Sequence, residues 1–199
     1  MSAQPGTRKQ DGRRLRSQVS RRRIIEAMRD LVEEGNFAPR AEEVAARAEV
    51  GLRSVFRHFD DMESLYRELG EIVFAELAPI LDVEELHGSA EEVIMEMINR
   101  RVRLYERIMP FRTAADVHIH RSPYLQQDRQ KVNDTLRKLM RDGLPASIRK
   151  DRVLLDALDG VLSFEFWRRL RMDQKLSIPQ ARRVMEMASF ALIKAEGQE

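Results

Sequence analysis

The chain has no cysteine, which rules out a disulfide framework and a thiolate metal site and permits a reducing compartment. No apolar run approaches the roughly 18 residues that cross a bilayer, and the basic start is not followed by the apolar stretch of a signal peptide. No membrane partner is expected, and the expected location is the cytoplasm. Aromatic residues are also scarce, at 6%. What is abundant is charge, 34%, alongside 43% hydrophobic residues, a mix that suits amphipathic helices better than sandwiches or barrels. The fold expected is all-α, and 199 residues accommodate at most two domains, one small module and one larger helical body.

A net charge of +2 conceals a strong asymmetry. Residues 1–23 hold eight basic groups (Arg8, Lys9, Arg13, Arg14, Arg16, Arg21, Arg22, Arg23) against the single acid Asp11, so the rest of the chain is net acidic. Residues 1–18 show no apolar periodicity and read as a basic flexible arm, suited to neutralising phosphates and releasing counterions. A merely solvated tail has the same composition.

Beyond the arm about nine helices are expected. Ile24, Ala27, Met28 and Leu31 recur at helical spacing, with Ser20 as cap and Gly35 as stop. Further helices are expected at about Ala41 to Ala48, Leu52 to His58, and from Asp60 or Asp61 to near Pro79. Ser89 with Glu92 makes a capping-box pattern ahead of Val93, Met97 and Val102, in a helix that Pro110 should end. A short helix from Phe111 to about Ile119, one from Pro123 to Met140 stopped by Gly143 and Pro145, and two at Asp151 to Met172 and Ile178 to Ala195 complete the count. Ser177 and Gln180 form a second capping-box pattern before the last.

The most informative segment lies between Ala41 and Phe59. Two short helices locked at a steep angle by small or branched residues make a helix-turn-helix, and Val44, Ala45, Ala48, Val50, Val55 and His58 or Phe59 fall where that packing needs them. Gly51 would cap the second helix, whose first turn presents Leu52, Arg53 and Ser54, with Arg57 one turn later. Arg53 and Arg57, at i, i+4 spacing, share a face and offer forked donors to guanine edges or phosphates of duplex DNA.

From Arg22 to Leu65 the sequence RRIIEAMRDLVEEGNFAPRAEEVAARAEVGLRSVFRHFDDMESL resembles the N-terminal domain of the TetR family of transcriptional regulators. Its most specific part is Val44-Ala45 to Phe59 followed by Glu63 and Leu65. The resemblance implies a helix-turn-helix DNA-binding domain at 19–66 and a helical ligand-binding and dimerisation domain at 67–199. It implies DNA contacts from Arg40, Gly51, Leu52, Arg53, Ser54, Phe56, Arg57 and His58. It also departs from the family pattern: Glu49 stands where a turn glycine is usual, Gly51 replaces a small hydroxyl cap, and Arg53 replaces the following glycine. Phe56 replaces a phosphate-binding tyrosine, and Met62 a lysine. Positive charge is thereby redistributed onto Arg53, Arg57 and the arm. If position 49 is left-handed, its Cβ costs roughly 1 kcal/mol.

In the body, the same resemblance implies a cavity for an unidentified small apolar or amphipathic effector. Flexible and aromatic residues suited to lining it are Met95, Met97, Tyr105, Met109, Phe111, Tyr124, Met140, Phe164, Phe166 and Trp167, although ordinary core packing accounts for each singly. Val161, Leu162, Glu165, Phe166 and Arg169 on one helix, with Val184, Met187, Ala188, Ala191 and Leu192 on the last, form faces that could pair in a two-fold homodimer. Such a dimer calls for a palindromic operator with half-sites about 34–36 Å apart, or a multiple of that.

No enzyme is expected, since no phosphate loop, nucleophile elbow or supported carboxylate pair occurs. No cofactor is expected either. The single E-x-x-H, Glu84 to His87, lacks a facing copy, and Asp116, His118 and His120 are better read as solvated or hydrogen-bonded than as metal ligands. The function expected is a DNA-binding regulator, a homodimeric repressor released by its effector. The alternative is a DNA-bound protein-interaction module that regulates a partner without an effector.

Overall fold

The computed structural model describes the backbone of residues 7–81 and 88–196, and within these all side chains except those of 7–13, 78, 81 and 196. The charges of Arg8, Lys9, Asp11 and Arg13 and the Glu84-to-His87 motif therefore lie outside the described residues. The fold is all-α, with no strand among the described residues. Helices run α1 Thr7–Glu33, α2 Ala41–Arg47, α3 Leu52–His58, α4 Met62–Leu81, α5 Ala90–Asp116, α6 Pro123–Gly143, α7 Ala146–Lys150, α8 Arg152–Val161, α9 Phe164–Arg168 and α10 Ile178–Glu196. A π-helical turn, Arg169–Asp173, continues α9.

The first compact unit holds the described residues up to Ala75 together with Pro110–Leu125. Its core is built from Ile24, Met28 and Val32 of α1, Val44, Ala45 and Ala48 of and after α2, Val55, Phe59 and Leu65, all buried. Fully burying an aliphatic or aromatic side chain of this size contributes roughly 1.5–3 kcal/mol, so this patch is what fixes α1 and the two short helices α2 and α3 against one another. Returning chain closes the unit: the Ser122 hydroxyl donates to Glu63 at 2.6 Å, and the His118 ring lies 4.8 Å from that of Tyr66.

The second unit comprises Glu76–Met109 and, from Gln126 onward, the described residues. Val93, Ile94, Met97, Ile98, Leu104 and Tyr105 of α5 are buried, as are Leu158 of α8, Trp167 of α9 and Ala181 and Met185 of α10. Arg101, only 4% exposed, donates to the main-chain carbonyls of Leu162 at 2.6 Å and Leu136 at 2.9 Å. The Tyr105 hydroxyl adds a bond to the Leu162 carbonyl at 2.8 Å.

Several expected boundaries differ. α1 starts at Thr7, so Ser20 lies inside a helix and is not its cap; Arg, Leu and Gln are good helix formers, and the side chains of residues 14–19 are exposed, so no apolar stripe marks the helix there. Pro110 sits inside α5, which runs on to Asp116 in place of a separate helix after Phe111. A proline removes one rung of the ladder without ending a helix whose flanking turns are intact. α6 continues past Met140 to Gly143, and Pro145 opens the short α7. The expected helix from Asp151 to Met172 breaks after Val161, because the Ser163 hydroxyl accepts from the Phe166 N–H at 3.1 Å and starts a new helix. That break frees the Leu162 carbonyl, which Arg101 and Tyr105 then satisfy.

Candidate nucleic-acid interface

The chain between α1 and α3 is shaped by two matching stops. After α1 the N–H groups of Gly35 and Asn36 bond back to Val32 and Leu31, and after α2 those of Glu49 and Val50 bond back to Ala46 and Ala45. Both are Schellman ends, which need a left-handed residue: Gly35 has φ +95°, and Glu49 takes φ +54° despite its side chain. The start of α2 is closed by the Glu43 carboxylate, which accepts from the Arg40 N–H at 2.7 Å. Arg47 donates to both carboxylate oxygens of Glu34, at 2.8 and 2.6 Å, tying the end of α2 to the end of α1 and holding the Glu34 carboxyl below its usual range.

Helix α3 is short, and its orientation is fixed by Val55 and Phe59, which are buried on one side. At about 100° per residue, Arg53 and Arg57 point away from that side, Leu52 and Phe56 flank them on one hand, and Ser54 and His58 on the other. Arg53 and Arg57 are exposed. The Arg57 guanidinium donates to the Ser54 hydroxyl at 3.1 Å, and the Ser54 N–H donates to the Gly51 carbonyl at 2.7 Å. Gly51 caps α3 in an extended conformation, with open space where a Cβ would stand. Leu52 is 39% and Phe56 50% exposed, high for apolar side chains.

The far end of α3 is clamped by one of the eight basic residues in the run 1–23. Arg21 of α1 donates to the His58 carbonyl at 2.7 Å, pairs with Glu68 of α4 through two nitrogens, and lies 4.6 Å over the Phe59 ring. Its charge is therefore engaged within the unit, whereas Arg14, Arg22 and Arg23 remain exposed. Nothing in the spacing of residues 21 and 68 signals this clamp. His58 is half-buried, its Nε2 enclosed without a partner among the described residues; burial first, then Arg57 and Arg21, push its pKa down, which favours the neutral ring. A polar cleft of about 210 Å³ beside this clamp is lined by Arg21, His58, Ser64, Arg67 and Glu68, among others. Tyr66 steadies the loop before α2, its hydroxyl donating to the Phe37 carbonyl at 3.4 Å, and burial pushes its pKa up to about 12.

No family model matches the chain, and no curated protein does. Among solved structures the chain is similar to a TetR transcriptional regulator from Rhodococcus sp. RHA1, at 21% identity over 88% of this chain and 95% of that chain, with a TM-score of 0.49.

The residues expected to bind an effector fall in both units. Met97, Tyr105, Phe164 and Trp167 are buried in the second, with Met109 half-buried there, and Tyr105 and Phe164 meet edge-to-face at 5.5 Å. The Trp167 N–H donates to Glu106 at 2.9 Å, and Arg171 donates to the same carboxylate. Phe111 and Tyr124 belong to the first unit, where both are half-buried. Of the residues expected at a dimer interface, Arg169, Met187 and Ala191 are exposed, while Phe166, Val184 and Ala188 are half-buried. Among the described residues no group of three or more His, Asp or Glu side chains could hold a metal ion, and no helix is long and apolar enough to cross a membrane.

Proposed function

We propose that this chain is a cytoplasmic, sequence-specific DNA-binding regulator of transcription. The observation that supports this most directly is the outer face of α3, where Arg53 and Arg57 project from a helix whose opposite side is fixed by Val55 and Phe59. Two guanidinium forks on a short, braced helix suit the major groove, where Arg meets the O6 and N7 acceptors of guanine. Gly51, Ser54 and His58 border that face; these and Arg40, at the start of α2, are proposed to meet the backbone of the duplex, with the exposed arginines of α1 supplying the sequence-independent attraction.

The proposed working form is a homodimer on a palindromic operator, joined through Phe166, Arg169, Val184, Met187, Ala188 and Ala191. A repressor released by a small apolar or amphipathic effector fits this plan: a ligand that prefers the dimer whose two heads are wrongly spaced lowers operator affinity by its differential affinity for the two states. Met97, Tyr105, Met109, Phe164 and Trp167 are the proposed contacts in the second unit.

Replacing Arg53 and Arg57 together by alanine should bring affinity for a selected operator down to that for random duplex in a mobility-shift titration. Unchanged discrimination would refute the assignment of this face. The substitutions leave the core untouched, so a loss of helical circular dichroism is not expected.

A further inference from the structure

The recognition face carries a second row that cationic contacts do not explain. Leu52 and Phe56 stand one turn apart on α3, beside the Arg53 and Arg57 row, with 39% and 50% of their surfaces exposed. Phe56 has no hydroxyl, so it cannot donate to a phosphate as a tyrosine there would. Val55 already fills the buried side of α3, so the fold does not need these two side chains for its core. In a major groove the apolar feature within reach of such a row is the 5-methyl group of a pyrimidine, which thymine presents and uracil or unmodified cytosine does not.

We infer that Leu52 and Phe56 read thymine methyl groups, so that each half-site places one or two thymines next to the base pairs met by Arg53 and Arg57. This rests on the proposed DNA-binding reading and adds which chemical feature is recognised. The neighbouring positive row favours the occupant: guanidinium groups one helical step away draw in a polyanion, and the apolar row then contacts a groove wall already brought close. Burying one methyl against such a surface changes affinity about fourfold.

The test uses the full chain and random-sequence duplex libraries, one synthesised with thymine and one with deoxyuridine. Selection from the thymine library should enrich duplexes with thymines at fixed positions in both half-sites. In the best of these, deoxyuridine at the critical position should weaken binding by the wild-type chain about fourfold, with no such effect at other thymines. Phe56→Ala or Leu52→Ala should weaken binding to the thymine duplex and abolish the thymine-to-uracil difference at that variant's position. A chain that enriches a specific duplex but binds its deoxyuridine version equally well overturns this inference and leaves the DNA-binding reading standing. A chain that enriches no duplex overturns both. Should both alanine variants bind the selected duplex unchanged, the row serves a different surface and the inference fails.

Discussion

Glu49 occupies a backbone conformation that side chains avoid. Its φ of +54° is imposed by the two bonds that close α2, from Glu49 to Ala46 and Val50 to Ala45, and a Cβ in that region costs about 1 kcal/mol. Glu49→Gly should therefore raise stability by about 1 kcal/mol, seen as a higher urea midpoint with an unchanged slope. The cost was legible before any coordinates, because a glycine is usual at that position. His58 was legible as a candidate contact but not as an enclosed ring. Its depressed pKa means the unfolded chain binds a proton more readily, so stability is full above about 6.5 and declines as pH falls from there toward the lower folded value. Glu34, Glu92 and Glu96, whose pKa values are lowered, act at more acid pH and leave this window to histidine. In thermal melts His58→Gln should lose less stability than the parent chain between pH 6.5 and 5; equal losses would place the effect elsewhere. Arg21 shows the limit of reading charge from sequence: among eight basic residues nothing marks the one whose partners are Glu68 and the His58 carbonyl.

Among elements, periodicity was informative wherever a helix face is buried. Ala181, Met185 and Ser189 line one side of α10 and are fully enclosed, while Val184, Met187, Ala188 and Ala191 follow the same spacing on another side that the single chain leaves wholly or partly uncovered. Where no face is buried, pattern gives no signal, which is why residues 14–18, all exposed, read as part of an arm although they lie inside α1. The division between α8 and α9 was hidden for a different reason. Ser163 resembles any serine in a helical stretch until its hydroxyl is seen on the Phe166 N–H, and Arg101 is indistinguishable in sequence from Arg100 and Arg103 beside it. Ser163→Ala should cost about 1 kcal/mol in urea unfolding, the usual worth of such a cap. A cost near zero would mean that α9 is held by its buried Phe164 and Trp167 and not by the cap.

For the whole molecule, the proposed dimer is the property most open to direct measurement. Met187, 65% exposed on α10, would be covered at a two-fold interface, and a carboxylate there would be desolvated against its symmetry mate. The parent chain should run as a dimer in light scattering at micromolar concentration, and Met187→Glu as a helical monomer with much weaker operator binding. A dimer unaffected by the substitution would move the interface off this face. The chain passes between its two compact units three times, after Ala75 in α4, at Pro110 in α5 and after Leu125 in α6. Each passage has a proline within four residues: Pro79, Pro110 and Pro123. Pro79 and Pro110 have no N–H to return to the carbonyls of Ala75 and Glu106, and Pro123 lies in a first helical turn, where N–H groups have no partner within the helix in any case. A helix resists bending through its hydrogen-bond ladder, and α4 and α5 each lack one rung where Pro79 and Pro110 stand, whereas α6 loses none at Pro123.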